Sequence, residues 1–331
     1  MNASSNGIEK IDTAHIRQSL DLILNRIGNT VVGQHRLLRG MLIGLLCRGH
    51  VLIEGVPGLA KTTAVSSLAG ALGTEFRRLQ FTPDLLPADI IGSEIYRPQN
   101  HQFEVQTGPI FANLILVDEI NRAPAKVQSA LLEAMQERQV TIGGNTLQLP
   151  DPFMVLATQN PIDQQGTYSL PEAQMDRFLM KLVVQYPSRE EEQEILSRSL
   201  DLSQDQEKLP PVISNEEIRL ASMSLQSIQV SQALRNYVID LVTATREPER
   251  FDSGLTNLIR YGVSPRGTIA LTHAARAEAF LSGREYVIPE DVRAVLEDVF
   301  RHRIALSYEA LGEELTVDIV LANIIDRVPV P

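Results

Sequence analysis

Tryptophan is absent from this 331-residue sequence, and phenylalanine and tyrosine bring the aromatic content to only 5%. Stacking platforms for single-stranded nucleic acid are therefore not expected. Cysteine is nearly as scarce. Cys47 is the only one, so no internal disulfide can form, and its apolar, helix-like surroundings read as those of a small buried hydrophobe. Positive charge is short as well: 30 Lys and Arg stand against 41 Asp and Glu, giving a net charge of −11. A chain this acidic has no global attraction to nucleic acid or to anionic membrane. No apolar run approaches the ~18 residues that would span a bilayer. The polar opening MNASSNGIEK lacks a basic segment followed by an apolar core, so no secretory signal is expected and the setting is taken as cytoplasmic. The six histidines, at 15, 35, 50, 101, 273 and 302, show no metal-ligand spacing.

What is present is the composition of an ordinary globular protein, 44% hydrophobic and 21% charged, long enough for two domains. Residues 1–13 read as a flexible tail. Apolar residues at helical spacing follow from His15 to Ile27 and from Leu37 to Leu46. Short apolar runs then alternate with helical patterns: Val51–Ile53, Arg77–Phe81, Leu114–Val117, Phe153–Ala157 and Lys181–Val184. Runs such as Leu-Ile-Leu-Val lack alternation, as expected of strands covered on both faces of a parallel sheet. Glu94–Tyr96 with Phe103–Val105, and Gln139–Ile142 with Thr146–Leu149, read as two β-hairpins set into that core. Beyond Tyr186-Pro187 strands disappear. Ser188 with Glu191 and Ser214 with Glu217 fit capping boxes, and Pro289 suits a first helical turn. Residues 14–187 thus form an α/β core and 188–331 an all-helical domain.

The segment EGVPGLAKTT, Glu54 to Thr63, follows the first apolar run and precedes a helical pattern at Val65, Leu68, Ala69 and Leu72. Strand, glycine-rich loop and helix are the context of a phosphate-binding loop, although Ala60 stands where glycine usually precedes the lysine. Gly55 and Gly58 would let the backbone curl around an anion. Amides of Val56, Pro57's neighbours, Leu59, Ala60 and the first helical turn through Thr63 would face phosphate oxygens. Lys61 supplies charge to the terminal phosphates, and the Thr62 hydroxyl can ligate Mg²⁺. The methyl of Ala60 is tolerable if its backbone stays near helical dihedrals. Downstream, Leu114-Ile115-Leu116-Val117 ends in Asp118-Glu119, which places two carboxylates at the carboxyl end of a buried strand. Asp118 can hold magnesium through water, and Glu119 can polarise an attacking water. Together the motifs indicate ATP hydrolysis. No Asn-Lys-x-Asp motif for guanine is present.

The loop GVPGLAKT, the strand LILVDEINRAP, ATQNP at 157–161, LPEAQMDRF at 170–178 and GVSPRG at 262–267 resemble the MoxR family of AAA+ ATPases. The resemblance covers roughly residues 14–320. It implies a P-loop core with a five-stranded parallel sheet, β-hairpin inserts and a helical lid. It also implies that alanine before the lysine is usual. Asn160 resembles the polar residue that orients the hydrolytic water, a task suited to an amide that both donates and accepts. Arg177 resembles the arginine finger that reaches a neighbouring subunit's nucleotide, the alternative being a salt bridge with Asp176 or Glu172. Arg266 resembles a second phosphate sensor, acting on its own or a neighbour's nucleotide. Gly33 and Gln34 occupy the place that lines the adenine pocket.

By the same resemblance the chain is expected to be a chaperone-like remodeller that forms a ring of six copies. Expected partners are a von Willebrand factor A domain protein and a client complex that receives a metal or cofactor. A nucleic-acid motor is the first alternative, against which the loops Pro98–Gln106 and Gly143–Asn145 carry no Lys or Arg. An ATP-gated scaffold without turnover is the second.

Overall fold

The run Leu114–Val117 is buried on both sides, and covering it dictates the layers of the molecule. A computed structural model describes residues 13–331 apart from 57, 100, 161–167, 201–209 and 252. The expected tail therefore lies, Thr13 excepted, outside the described residues. In chain order the first half comprises α1 (Thr13–Thr30), α2 (His35–Leu46), β1 (Val51–Glu54), α3 (Lys61–Leu72), β2 (Phe76–Gln80), α4 (Pro87–Ile91), β3 (Gly92–Arg97) and β4 (Gln102–Thr107). There follow β5 (Leu114–Asp118), α5 (Ala125–Glu137), β6 (Gln139–Ile142), β7 (Asn145–Gln148), β8 (Met154–Gln159), α6 (Glu172–Met175) and β9 (Met180–Val183).

The sheet runs β2-β5-β8-β1-β9 with every pair parallel. Side chains of β5 alternate between two cores. Leu114 and Leu116 join a cluster with α1, α2 and α3, while Ile115 and Val117 join Val127, Leu131 and Met135 of α5. A strand buried on both faces needs no polar alternation, which is why its sequence shows none.

Both expected hairpins form. β3 pairs with β4 from Gly92↔Thr107 to Arg97↔Gln102, and β6 with β7 from Gln139↔Gln148 to Ile142↔Asn145. Gly143 and Gly144 turn the second with φ of 55° and 83°, the left-handed pair that a two-residue hairpin demands. A Cβ at Gly143 would lie 1.8 Å from Glu94 Cδ, so the hairpins touch there and any side chain would have to displace that carboxylate.

The second half contains α7 (Arg189–Leu200), α8 (Asn215–Ser224), α9 (Gln232–Arg246), β10 (Ile259–Tyr261), α10 (Pro265–Leu281), α11 (Pro289–Phe300), β11 (Ala305–Leu306), α12 (Tyr308–Gly312) and α13 (Val317–Arg327). Ser214 and Glu217 close both halves of their capping box, and so do Ser188 and Glu191. The short antiparallel pairing of β10 with β11 is the departure from the helical expectation, since strands of three and two residues are too brief for periodicity to reveal. The core on the α1–α3 side of the sheet continues into this region through Leu241, Phe280, Phe300 and Leu321. Arg39 of α2 fastens it further with a two-pronged pair to Glu278 of α10 at 2.7 and 2.6 Å.

Candidate active site

β1 ends at Glu54 and α3 begins at Lys61, so the loop between them sits at the carboxyl edge of the sheet. Gly55, Gly58 and Ala60 each have a distinct structural role in that loop. A Cβ at Gly55 would come within 3.0 Å of the Val184 carbonyl, so this glycine permits close approach of the chain leaving β9. Gly58 has φ of 88° with open space where a Cβ would go, so it serves the backbone conformation. Pro57 lies outside the described residues. Ala60 corrects an expectation: its φ of 53° and ψ of 22° are left-handed, not helical. A left-handed residue just ahead of a helix turns successive amides into one concavity, which outweighs the methyl's preference.

Lys61 Nζ donates to the Gly55 carbonyl at 2.5 Å. Burial draws its pKa below the ordinary lysine value, opposed by the carboxylates of Asp118, Glu119 and Glu54. With Gly58, Leu59, Ala60, Thr62 and Thr63 it borders a cavity of ≈ 360 Å³ whose far wall is Asp118, Glu119, Thr158 and Asn160. The loop, the strand-end acids and Asn160 are thus brought together as the sequence suggested. Asn160 follows β8, the strand paired with β5.

Three residues of this cavity escaped the sequence reading. Arg78 Nε donates to Asp118 Oδ2 at 2.6 Å, and Gln80 Nε2 donates to Glu119 Oε2 at 2.8 Å. Both come from the edge strand β2, where Gln80 pairs in register with Asp118. The signal was the polar alternation of Arg78 and Gln80, two residues apart and hence on one face. The third, Thr158, is buried between the acids: its Oγ1 accepts the Glu119 amide at 2.9 Å and donates to Asp118 Oδ1 at 3.3 Å. Glu119 itself is left-handed, with φ of 59° and ψ of 53°.

Arg177 and Arg266 lie elsewhere. Together with His50, Met135, Gln136 and Asp176 they line a separate cavity of ≈ 140 Å³. His50 precedes β1 and Arg177 precedes β9, and the Leu179 amide donates to the His50 carbonyl at 2.8 Å, so this cavity marks the amino edge of the sheet. From there to Gly55 is five residues of strand, roughly 16 Å at about 3.3 Å each. Neither guanidinium has an ion-pair partner among the described residues, and both residues are exposed. Asp176, the alternative partner for Arg177, is held instead by Arg303 at 2.8 Å.

Gly33 and Gln34 border a third cavity, ≈ 580 Å³, between α2, the exit of β9 at Val183–Ser188, and Asp318 of α13. It lies on the carboxyl edge, reached across the Gly55–Val184 contact. Among the described residues no group of three or more His, Cys, Asp or Glu could hold a metal alone. The oxygens of Thr62 and Asp118 nonetheless suit Mg²⁺, which takes one or two protein oxygens beside substrate phosphates and water.

The profile of the ATPase family associated with various cellular activities (AAA) matches residues 50–180, and that of the AAA lid domain matches 255–324. Chaperone MoxR1 of Mycobacterium tuberculosis is 48% identical over 95% of this chain and 82% of its own length. Protein MoxR of Paracoccus denitrificans is 38% identical over 92% and 94%. A crystal structure from Cytophaga hutchinsonii, of a protein assigned as an ATPase, superposes with a TM-score of 0.90 at 44% identity, covering 96% of this chain and 97% of that one. The chain therefore belongs to the MoxR family of AAA+ ATPases.

Proposed function

We propose that this chain hydrolyses ATP with Mg²⁺ as a ring in which each subunit's site is completed by the next. Loop amides and Lys61 bind the β- and γ-phosphates. Thr62 and Asp118 would hold Mg²⁺, whose charge neutralises phosphate oxygens. Glu119 polarises the attacking water and Asn160 orients it. The adenine lies in the cavity beside Gly33 and Gln34. The observation that carries the ring is the placement of Arg177 and Arg266 in a cavity separate from that of their own subunit's loop, at the other edge of a sheet whose strand between His50 and Gly55 is roughly 16 Å long. An exposed arginine pair can act on a γ-phosphate only where another copy presents one, as heterologous closed rings do.

The work done with that energy is read as chaperone-like remodelling, with a von Willebrand factor A domain protein and a client complex under maturation as partners. Support comes from relatives named chaperone and MoxR. The charge of the hairpins points away from nucleic acid: Arg97, at the end of β3, is paired with Glu104 at 2.9 Å, which sets a carboxylate beside that cation. No helix among the described residues is long and apolar enough to cross a membrane. The deciding experiment is sizing in ATP together with ATPase assays of Arg177→Ala. A ring whose turnover falls at least about 10³-fold in the variant is expected. A monomer with unaltered turnover would refute the proposal.

A further inference from the structure

Arg177 and Arg266 come from opposite halves of the chain, and what joins them is a buried guanidinium in neither motif. The side chain of Arg303 is 3% exposed and, apart from one bond from Nη1 to the Val299 carbonyl, spends its donors on the segment beside Arg177. Its Nε donates to Asp176 Oδ1 at 2.8 Å, Nη1 to the Leu179 carbonyl at 3.1 Å, and Nη2 to the Phe178 carbonyl at 2.6 Å and the Asp176 carbonyl at 3.3 Å. The remaining oxygen of Asp176, Oδ2, accepts from the Ser264 hydroxyl at 3.0 Å, two residues before Arg266. Gly267 completes the joint from the other side of Arg266. A Cβ there would stand 2.2 Å from Val263 Cγ1 and 2.9 Å from Arg303 Cδ, so the glycine lets Arg303 lie against the first turn of α10. Ser264 opens α10 without a side-chain cap bond, so its hydroxyl is committed to Asp176 and not to the helix.

We propose that Arg303 is a positioning residue which, through Asp176 and Ser264, locks Arg177 and Arg266 at one spacing. The pair then engages a neighbour's triphosphate as a unit. This rests on the reading that the two arginines act in trans. A planar guanidinium with a fixed fork can hold a carboxylate and three carbonyls at once, which a lysine cannot. The consequence is a coupling between halves: any displacement of α10 moves the segment bearing Arg177 with it.

The test uses full-length protein and ATP. Arg303→Met should lower kcat by about 10²-fold with KM for ATP unchanged, because the pair is displaced while the subunit's own phosphate loop is intact. Mixing Arg303→Met with Glu119→Gln, each nearly inactive alone, should restore about a quarter of wild-type turnover, the share of junctions joining an intact site to an intact pair. Arg177→Ala mixed with Glu119→Gln is the control. If the control recovers and the Arg303→Met mixture does not, Arg303 serves only its own subunit's fold and the proposal is overturned. If the control fails too, it is the trans reading that falls. Ser264→Ala, which deletes one hydroxyl, guards against a misfolded Arg303 variant. It should lower kcat about tenfold and recover on the same mixing. Wild-type kcat in Ser264→Ala would refute the coupling.

Discussion

Replacing Thr158 by valine removes one hydroxyl from the candidate active site and leaves the shape of the side chain in place. That hydroxyl is 3% exposed in its residue, accepts the Glu119 amide at 2.9 Å and donates to Asp118 Oδ1 at 3.3 Å. Losing a buried bond to a charged group and orphaning an amide costs about 2–3 kcal/mol. The backbone at Glu119 is held left-handed, a conformation that costs a non-glycine residue roughly 1–2 kcal/mol. Once its amide is unanchored, Glu119 can relax and recover part of that strain. The net loss expected for Thr158→Val is therefore about 1–2 kcal/mol, a fall of several degrees in Tm. Relaxation also carries the carboxylate away from the cavity, so kcat should drop about 10²-fold. KM for ATP should change much less than kcat, because Thr158 makes no hydrogen bond to Lys61 or the loop and Asp118 loses only one weak bond. Thr158→Ser keeps the hydroxyl and should keep kcat within a few-fold. Calorimetry and steady-state ATPase assays of both variants decide the matter. Equal losses in valine and serine, or wild-type kcat in valine, would show that the hydroxyl does not pin the strand-end acids.

Gln80 donates to Glu119 Oε2 at 2.8 Å on an exposed wall of the cavity, so Gln80→Leu should shift stability by less than about 0.5 kcal/mol. Freed from that amide, Glu119 should raise basal turnover severalfold; a fall instead would mean that Gln80 aims the carboxylate productively. Burial lowers the His50 pKa from 6.5 to about 4 and draws His302 down as well. Native His50 therefore refuses a proton that the unfolded chain accepts, and its contribution is complete above pH 6.5 and lost as pH falls toward 4. A Tm series from pH 7.5 to 5 should show a decline of up to about 1.4 kcal/mol per pH unit for each of the two rings, and a flat series would contradict their burial as neutral groups. At Ala60, left-handed with φ of 53°, glycine relieves about 1 kcal/mol of strain and adds about 0.4–1 kcal/mol of unfolded-state entropy. Ala60→Gly should thus leave turnover intact and Tm within a few degrees, whereas a large loss of either would mean the methyl itself has a role.

Much of the site could be read in the sequence because its chemistry is local. Lys61 and Thr62 follow a strand directly, and Asp118-Glu119 end one, so contiguous residues carry both motif and context. Thr158, Arg78 and Gln80 could not be read in this way, since each matters through a partner about 40 residues distant in sequence and only strand register joins them. The left-handed backbones at Ala60 and Glu119 were invisible for another reason: neither residue type favours that conformation, and surrounding contacts impose it. Arg177 is the instructive intermediate. In a parallel sheet, residues that follow strands gather at one edge and residues that precede strands gather at the other. Asn160 follows β8 while Arg177 precedes β9, so chain direction alone separates them by the length of a strand. That Arg177 stands away from its own phosphate loop was thus implicit in the order of motif and strand. Where Arg266 stands was not, because it depends on how the helical half folds back onto the core, and that is settled by the shared apolar cluster and by the bond from Ser264 to Asp176.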